Sequence, residues 1–203
     1  VGFDFGTSSS KIVVHQPGAG DLAYALRAPD DLCALEQGHR QQHLWRSVVW
    51  YDQAAGRFSL TPHGNAVPIE GFKTGLIQAT GHRMSSGVTH AHAAIAYLGL
   101  LIAFVVGQHR RHPPAGFDGE SHFSRFHFGV PVACKDEPGC ADEFRRVLAA
   151  AFEVAPFAAD LDLETVKAAH KRAAANLAIT ADTPFVLFEE LAGVIAGYKA
   201  SPD

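Results

Sequence analysis

The sequence is poor in cysteine and in excess charge, and its most apolar run is short for a membrane span. Three cysteines, Cys33, Cys134 and Cys140, are too few and too odd in number to frame a disulfide scaffold. The spacing of Cys134 and Cys140 fits neither a zinc knuckle nor a redox pair, so both read as bystanders. A reducing compartment is the simplest inference, and a cytoplasmic location is the expectation. A formal net charge of −4 gives no basic field for nucleic acid or an anionic membrane. The most apolar stretch, 93–106, falls short of the roughly 20 residues a membrane span needs. It reads as a buried helix, with no membrane partner expected. No basic n-region or cleavage site opens the chain, no internal repeat recurs, and no Gly/Ser linker is long enough to part domains.

What is present is an ordinary globular balance, 47% hydrophobic and 19% charged over 203 residues, enough for one or two cores. Twelve histidines invite a metal reading. However, His90 and His92 merely alternate, and the His109-Arg-Arg-His112 cluster lacks the ligand spacing of a zinc site. Solvated or capping histidines are the expectation.

The most informative stretch is residues 1–14, where two apolar runs flank Asp4, Gly6, Thr7, Ser8, Ser9, Ser10 and Lys11. Glycine and small hydroxyl residues between two strands predict a tight hairpin turn, with positive φ at Gly6. Such a turn lets backbone N–H groups and hydroxyls converge on an anionic oxygen, because no bulky side chain blocks the approach. Asp4 stands at its mouth. A carboxylate beside a phosphate cradle makes chemical sense when a cation such as Mg²⁺ lies between them. The alternative is a plain Gly/Ser hairpin with a solvated Asp4.

Further along, 15–44 shows no sustained period and reads as a decorated loop region. Residues 47–51 and 57–60 read as short strands around a glycine-containing turn. Residues 126–132 and 185–188 read as buried strands, with Pro131 at the end of the first. Helices are predicted over 141–152 and 163–177 from apolar residues at helical spacing, with Asp162 as N-cap of the second. A last helix is predicted over 191–198. The order implies an α/β fold with helices on a mixed sheet.

Asp4-Phe-Gly-Thr-Ser8, with a strand on either side, resembles the first phosphate motif of the actin-like ATPase superfamily, which holds actin, sugar kinases and the DnaK-type heat-shock chaperones. Several later pieces resemble the chaperones in the right order. Ser47-Val-Val is similar to their "PSVVAF" segment, and Gly71-Phe-Lys-Thr-Gly-Leu-Ile77 to "DAKRLIG", with Lys73 on the lysine. Phe128-Gly-Val-Pro-Val132 is similar to "VTVPA". The stretch 185–198 is similar to "RIINEPTAAAIAYG", with Glu190 on the glutamate. Leu191 departs from the family's proline, and two helical stretches lie between Val132 and Phe185 where the chaperones have essentially one. The family's second phosphate motif and second lobe have no counterpart in these residues.

The resemblance implies a ribonuclease H-like, actin-like ATPase lobe, the first of two. Residues 1–15 and 123–203 would form its core, and 16–122 a peripheral subdomain with the buried helix. It implies ATP and Mg²⁺ as cofactors. Asp4 would orient metal-bound water, and Gly6, Thr7 and Ser8 would hydrogen-bond the outer phosphates. Lys73 would reach the γ-phosphate and Glu190 would help place the attacking water. Phosphoryl transfer rests on positioning and charge neutralisation, so this set is chemically sensible. Alternatively Lys73 is a solvated surface lysine and Glu190 a carboxylate at a helix N-terminus. Partners would be nucleotide and, through regions outside this chain, unfolded polypeptide or a co-chaperone. A carbohydrate kinase of the same superfamily and a non-catalytic actin-like scaffold are the other two readings.

Overall fold

Strict alternation builds the centre of the sheet. In β1 (Gly2–Phe5) Phe3 and Phe5 are buried and Asp4 is exposed. In β2 (Ser9–Gln16) Ser10, Ile12 and Val14 are buried, while Lys11, Val13 and His15 face out. With a period of two, each strand offers one apolar face to a helical layer. The computed structural model describes residues 1–16, 22–36, 38–78, 87–113, 115–117, 125–131, 134, 139–175 and 183–189.

The remaining elements in chain order are β3 (Leu22–Ala25), β4 (Cys33–Glu36), β5 (His39–Arg46), β6 (Val49–Asp52), β7 (Arg57–Ser59) and β8 (Val67–Ile69). They are followed by α1 (Phe72–Ile77), α2 (His90–Arg111), β9 (Phe126–Val130), α3 (Cys140–Val154), a 3-10 segment (Ala155–Asp160), α4 (Leu163–Ala175) and β10 (Phe185–Glu189). The main sheet runs β10-β9-β1-β2-β5-β4, with β3 also paired to β2. β2 is antiparallel to β1, β3 and β5, whereas β1, β9 and β10 are mutually parallel. β6, β7 and β8 form a separate small sheet. The chain is thus a mixed α/β protein whose mixed central sheet carries flanking helices.

The first strand read within 1–14 and those read over 126–132 and 185–188 lie side by side in this sheet, as β1, β9 and β10. The loop reading of 15–44 is corrected: three strands occupy much of it. β5 (His-Arg-Gln-Gln-His-Leu-Trp-Arg) buries only Trp45 fully, so it shows no apolar alternation. Its pairing with β4 and β2 makes it a strand, and Gly38, at φ 79°, supplies the left-handed turn from β4.

One face of the sheet is a dry aromatic layer. Phe3 stacks on Phe128 at 4.8 Å, and Phe152 of α3 meets Phe126 edge-on at 5.0 Å. α2 begins in a capping box, in which Thr89 Oγ1 accepts from the His92 N–H at 3.1 Å. It outruns its predicted 93–106. By length and composition α2 could cross a membrane, yet 61% of its most apolar window is buried inside the protein. Each large apolar side chain so buried contributes about 1.5–3 kcal/mol. Gly99 lets α3 come close, since a Cβ there would lie 2.5 Å from Val154 Cγ2. α4 starts at Asp162, whose Oδ1 accepts from the Thr165 N–H at 2.7 Å, the predicted cap.

Cys134 and Cys140 form a disulfide, which corrects their reading as bystanders. After β9 the chain turns on a Cys134 N–H to Pro131 carbonyl bond of 2.9 Å. Gly139, left-handed at φ 80°, then starts α3 with Cys140 in its first turn. The predicted helix over 191–198 lies outside the described residues.

Candidate functional site

Because β1, β9 and β10 are parallel, their C-terminal ends share one edge of the sheet. In α/β sheets this is the edge where ligands bind. Gly6, Thr7 and Ser8 leave β1 there, with Thr7 and Ser8 exposed. The expected positive φ at Gly6 is corrected, since Gly6 is not among the residues with that backbone. Glycine is required for another reason: a Cβ at this position would sit 2.0 Å from the Ser9 carbonyl oxygen. The turn closes on itself too tightly for a side chain.

A buried relay of hydroxyls holds the turn from beneath. Ser47 Oγ donates to the Gly6 carbonyl at 2.9 Å, and the Ser47 N–H donates to the Ser8 carbonyl at 3.0 Å. Ser10 Oγ lies 3.1 Å from Ser47 Oγ, and the Tyr97 hydroxyl of α2 donates to Ser10 Oγ at 3.2 Å. Ser47 spends its proton on Gly6, so the bonds run head to tail from Tyr97 through Ser10 and Ser47. Burial pushes the Tyr97 hydroxyl up to about 12, partly offset by the Ser10 and Ser47 hydroxyls. Tyr97 therefore stays a donor at neutral pH. Ser10, part of the hydroxyl run of the hairpin, is 1% exposed and belongs to this support, not to the turn's outer surface.

Above the turn lies a cleft of about 620 Å³. Thr7, Ser8 and Ser9 form one wall. Gly71, at the start of α1, and Arg46, at the end of β5, line the others.

Asp4 is exposed and stands opposite Lys11 in the β1–β2 register. It projects from the sheet face opposite Phe3 and Phe5, so its carboxylate is free to meet a hydrated cation. Lys73 is 4% exposed, with Nζ 5.5 Å from the centre of the Phe5 ring. That is a cation–π contact, and it corrects the alternative of a solvated surface lysine. Phe72 and Leu76, buried on the same short helix, draw Lys73 inward. Asp4 and Lys73 thus flank the end of β1 from opposite faces. Glu190 lies outside the described residues; β10, which precedes it, ends at the same sheet edge as the Gly6 turn.

Among the described residues no group of three or more His, Cys, Asp or Glu could hold a metal ion. Asp4 could contribute a single carboxylate to a Mg²⁺ that takes its other ligands from water and phosphate.

Tyr97 and Arg46 carry no motif of their own, and Ser47 is marked only by the resemblance of Ser47-Val-Val to a chaperone segment, which gives it no role at the turn. Ser47 sits two residues past the buried Trp45, and the pairing of Ser9 with Arg46 and of Ser10 with Trp45 brings that strand end to the turn. No family model matches the chain, and no curated protein or solved structure is significantly similar to it.

Proposed function

We propose that this chain is the phosphate-binding lobe of an actin-like ATPase of the DnaK type. The observation that carries the reading is the sheet itself. An antiparallel β3-β2-β1 meander is continued by parallel β9 and β10, with α2 before β9 and with α3 and α4 before β10. A ribonuclease H-like lobe calls for this arrangement, and the Gly6–Ser8 turn falls at the strand edge where such a lobe binds phosphate.

In this reading Thr7, Ser8 and their backbone N–H groups hold the outer phosphates of ATP, and Asp4 orients water on the magnesium ion. Magnesium supplies neutralisation of the phosphate charge when bound. The hydroxyl relay keeps the turn rigid, so that its donors point outward without reorganisation at the moment of binding. Glu190, the residue that follows β10, would help place the attacking water, and Lys73 would reach the γ-phosphate only by leaving its seat against the Phe5 ring.

The test is an amide NMR titration of the chain with Mg-ATP and, separately, with Mg-AMP. Shifts at Gly6, Thr7 and Ser8 with ATP but not AMP support phosphate recognition by the turn. Equal shifts with both, or none at these residues, overturn it.

A further inference from the structure

The cleft beside the turn contains a cation that no motif announced. Ser9 and Arg46 are direct cross-strand partners in the β2–β5 register, so their side chains leave the sheet on the same face. Both line the cleft with Thr7 and Ser8. The Arg46 backbone is fixed, its N–H donating to the Leu32 carbonyl at 2.8 Å. Its guanidinium is not: Nη2 donates to Glu70 Oε1 at 2.7 Å, and the two side chains are 48% and 56% exposed. An ion pair that wet contributes little, so a ligand can exchange for the carboxylate cheaply. Lys73, by contrast, lies under Phe5 and does not line the cleft.

The rest of the lining determines the form of the anion. Asp30, Asp31 and Glu36 also line it, and with Glu70 they outnumber Arg40 and Arg46. Arg40 is already held by Asp30 at 2.7 Å. A bare polyphosphate would meet net negative charge here, whereas one carrying a divalent cation brings its own compensation. We propose that Arg46 is the anion-binding cation of this cleft, holding a magnesium-complexed phosphoryl group against Thr7, Ser8 and Ser9 in exchange for Glu70. Planar and permanently charged, a guanidinium suits two oxygens of one phosphoryl group. The inference rests on the phosphate-binding reading and adds a residue that the chaperone resemblance does not supply.

The probe is magnesium pyrophosphate, added to the 203-residue chain in the millimolar range while the amides of Thr7, Ser8 and Ser9 are followed by NMR. The wild type should show saturable shifts, clearly weaker when EDTA removes the magnesium. Arg46→Ala should weaken binding about tenfold or more, the loss expected for a charge-assisted contact, and Arg46→Lys should recover part of it. Glu70→Gln, which removes the competing carboxylate, should tighten binding about two- to threefold. This variant keeps the test decisive if Arg46→Ala folds poorly by circular dichroism. Unchanged affinity in both Arg46→Ala and Glu70→Gln, alongside loss in Ser8→Ala, overturns the role of Arg46 and leaves the phosphate reading standing. Absence of any shift in the wild type, with pyrophosphate and with Mg-ATP, overturns both.

Discussion

Ser47 donates its hydroxyl to the carbonyl of Gly6 at 2.9 Å, joining the residue just past β5 to the turn just past β1 across 41 positions of sequence. The bond couples the candidate turn to α2, because Ser47 is the last link of the relay from Tyr97. Ser47→Ala strips the Gly6 carbonyl and the Ser10 hydroxyl of a buried partner at once. Leaving such groups unsatisfied costs about 1–3 kcal/mol. Tyr97→Phe removes only the outer donor and should cost about 0.5–1.5 kcal/mol. Urea unfolding of the two variants should place them in that order, and a reversed order would mean that the relay does not end on Gly6.

The Gly6 turn should reject even a methyl group. A Cβ at Gly6 meets the Ser9 carbonyl oxygen at 2.0 Å, and a backbone atom cannot swing aside as a side chain would. We expect Gly6→Ala to lower stability by about 1–3 kcal/mol, with the turn rebuilt. Gly2→Ala, at the start of β1, is the control, its nearest neighbour being Val13 O at 3.9 Å. Equal melting temperatures for the two variants would show that the turn is looser than described.

Gly99 poses the same question between helices. Alanine is the better helix former by about 1 kcal/mol, so an uncrowded site would be stabilised by Gly99→Ala. Here the new methyl meets Val154 Cγ2 at 2.5 Å and the Ala151 carbonyl at 3.1 Å, and Val154 is 1% exposed with nowhere to go. Destabilisation of about 1–3 kcal/mol is expected. Val154→Ala in the same chain should recover part of it, a coupling that a double-mutant cycle reads directly.

Acid should loosen the packing of α3 and α4 through two carboxylates. A hydrogen bond from His170 Nε2, 3.1 Å away, is the main reason that the Glu143 carboxyl is held below its ordinary range. Burial opposes this shift, and Arg146 assists it. Asp162 is held low chiefly by the Thr165 backbone N–H that it caps. Both folded-state values are depressed. Their stabilisation is therefore complete above the unfolded values and is lost as pH falls through the folded ones. Stability should decline from about pH 4.5 downward. Glu143→Gln, and Asp162→Asn, which keeps a capping acceptor, should each flatten that decline in melts taken between pH 6 and pH 3.

The parts of the fold that were legible in the sequence are those where burial writes a period. Phe3 and Phe5, Phe126 and Phe128, and the stripe of α3 through Phe144, Val147 and Leu148 announce strand or helix by themselves. β5 does not, because it buries one tryptophan and takes its identity from its neighbours. Cys134 and Cys140 meet only because Pro131 and Gly139 turn the chain back, a geometry that spacing does not encode. At the candidate site, Asp4 and the Gly6–Ser8 turn were visible as local chemistry. Ser47, Tyr97 and Arg46 reach it through long-range pairing; no local pattern marks Tyr97 or Arg46, and the Ser47-Val-Val resemblance does not show that Ser47 supports the turn.

Mg-ATP should bind to this 203-residue chain only weakly. The turn offers the backbone donors and hydroxyls of Gly6, Thr7 and Ser8, and each hydrogen bond made in water nets about 0.5–1.5 kcal/mol. Three or four such bonds reach roughly the 4 kcal/mol of a millimolar complex. The cleft lies open beside them, with Thr7 and Ser8 exposed, so water competes for every bond and screens the charges of Asp4 and Arg46. Tight binding would require a surface that buries the adenine and closes over the phosphates, and the turn itself supplies only one wall of an open cleft. Calorimetry with Mg-ATP checks this directly: a dissociation constant in the millimolar range is expected, and a micromolar one would mean that the binding surface extends well beyond the turn. In a protein that closes the cleft, Asp4→Asn and Glu190→Gln should depress turnover more than affinity. Both carboxylates would act on water and metal in the transition state, whereas the turn would hold the phosphates in the ground state as well.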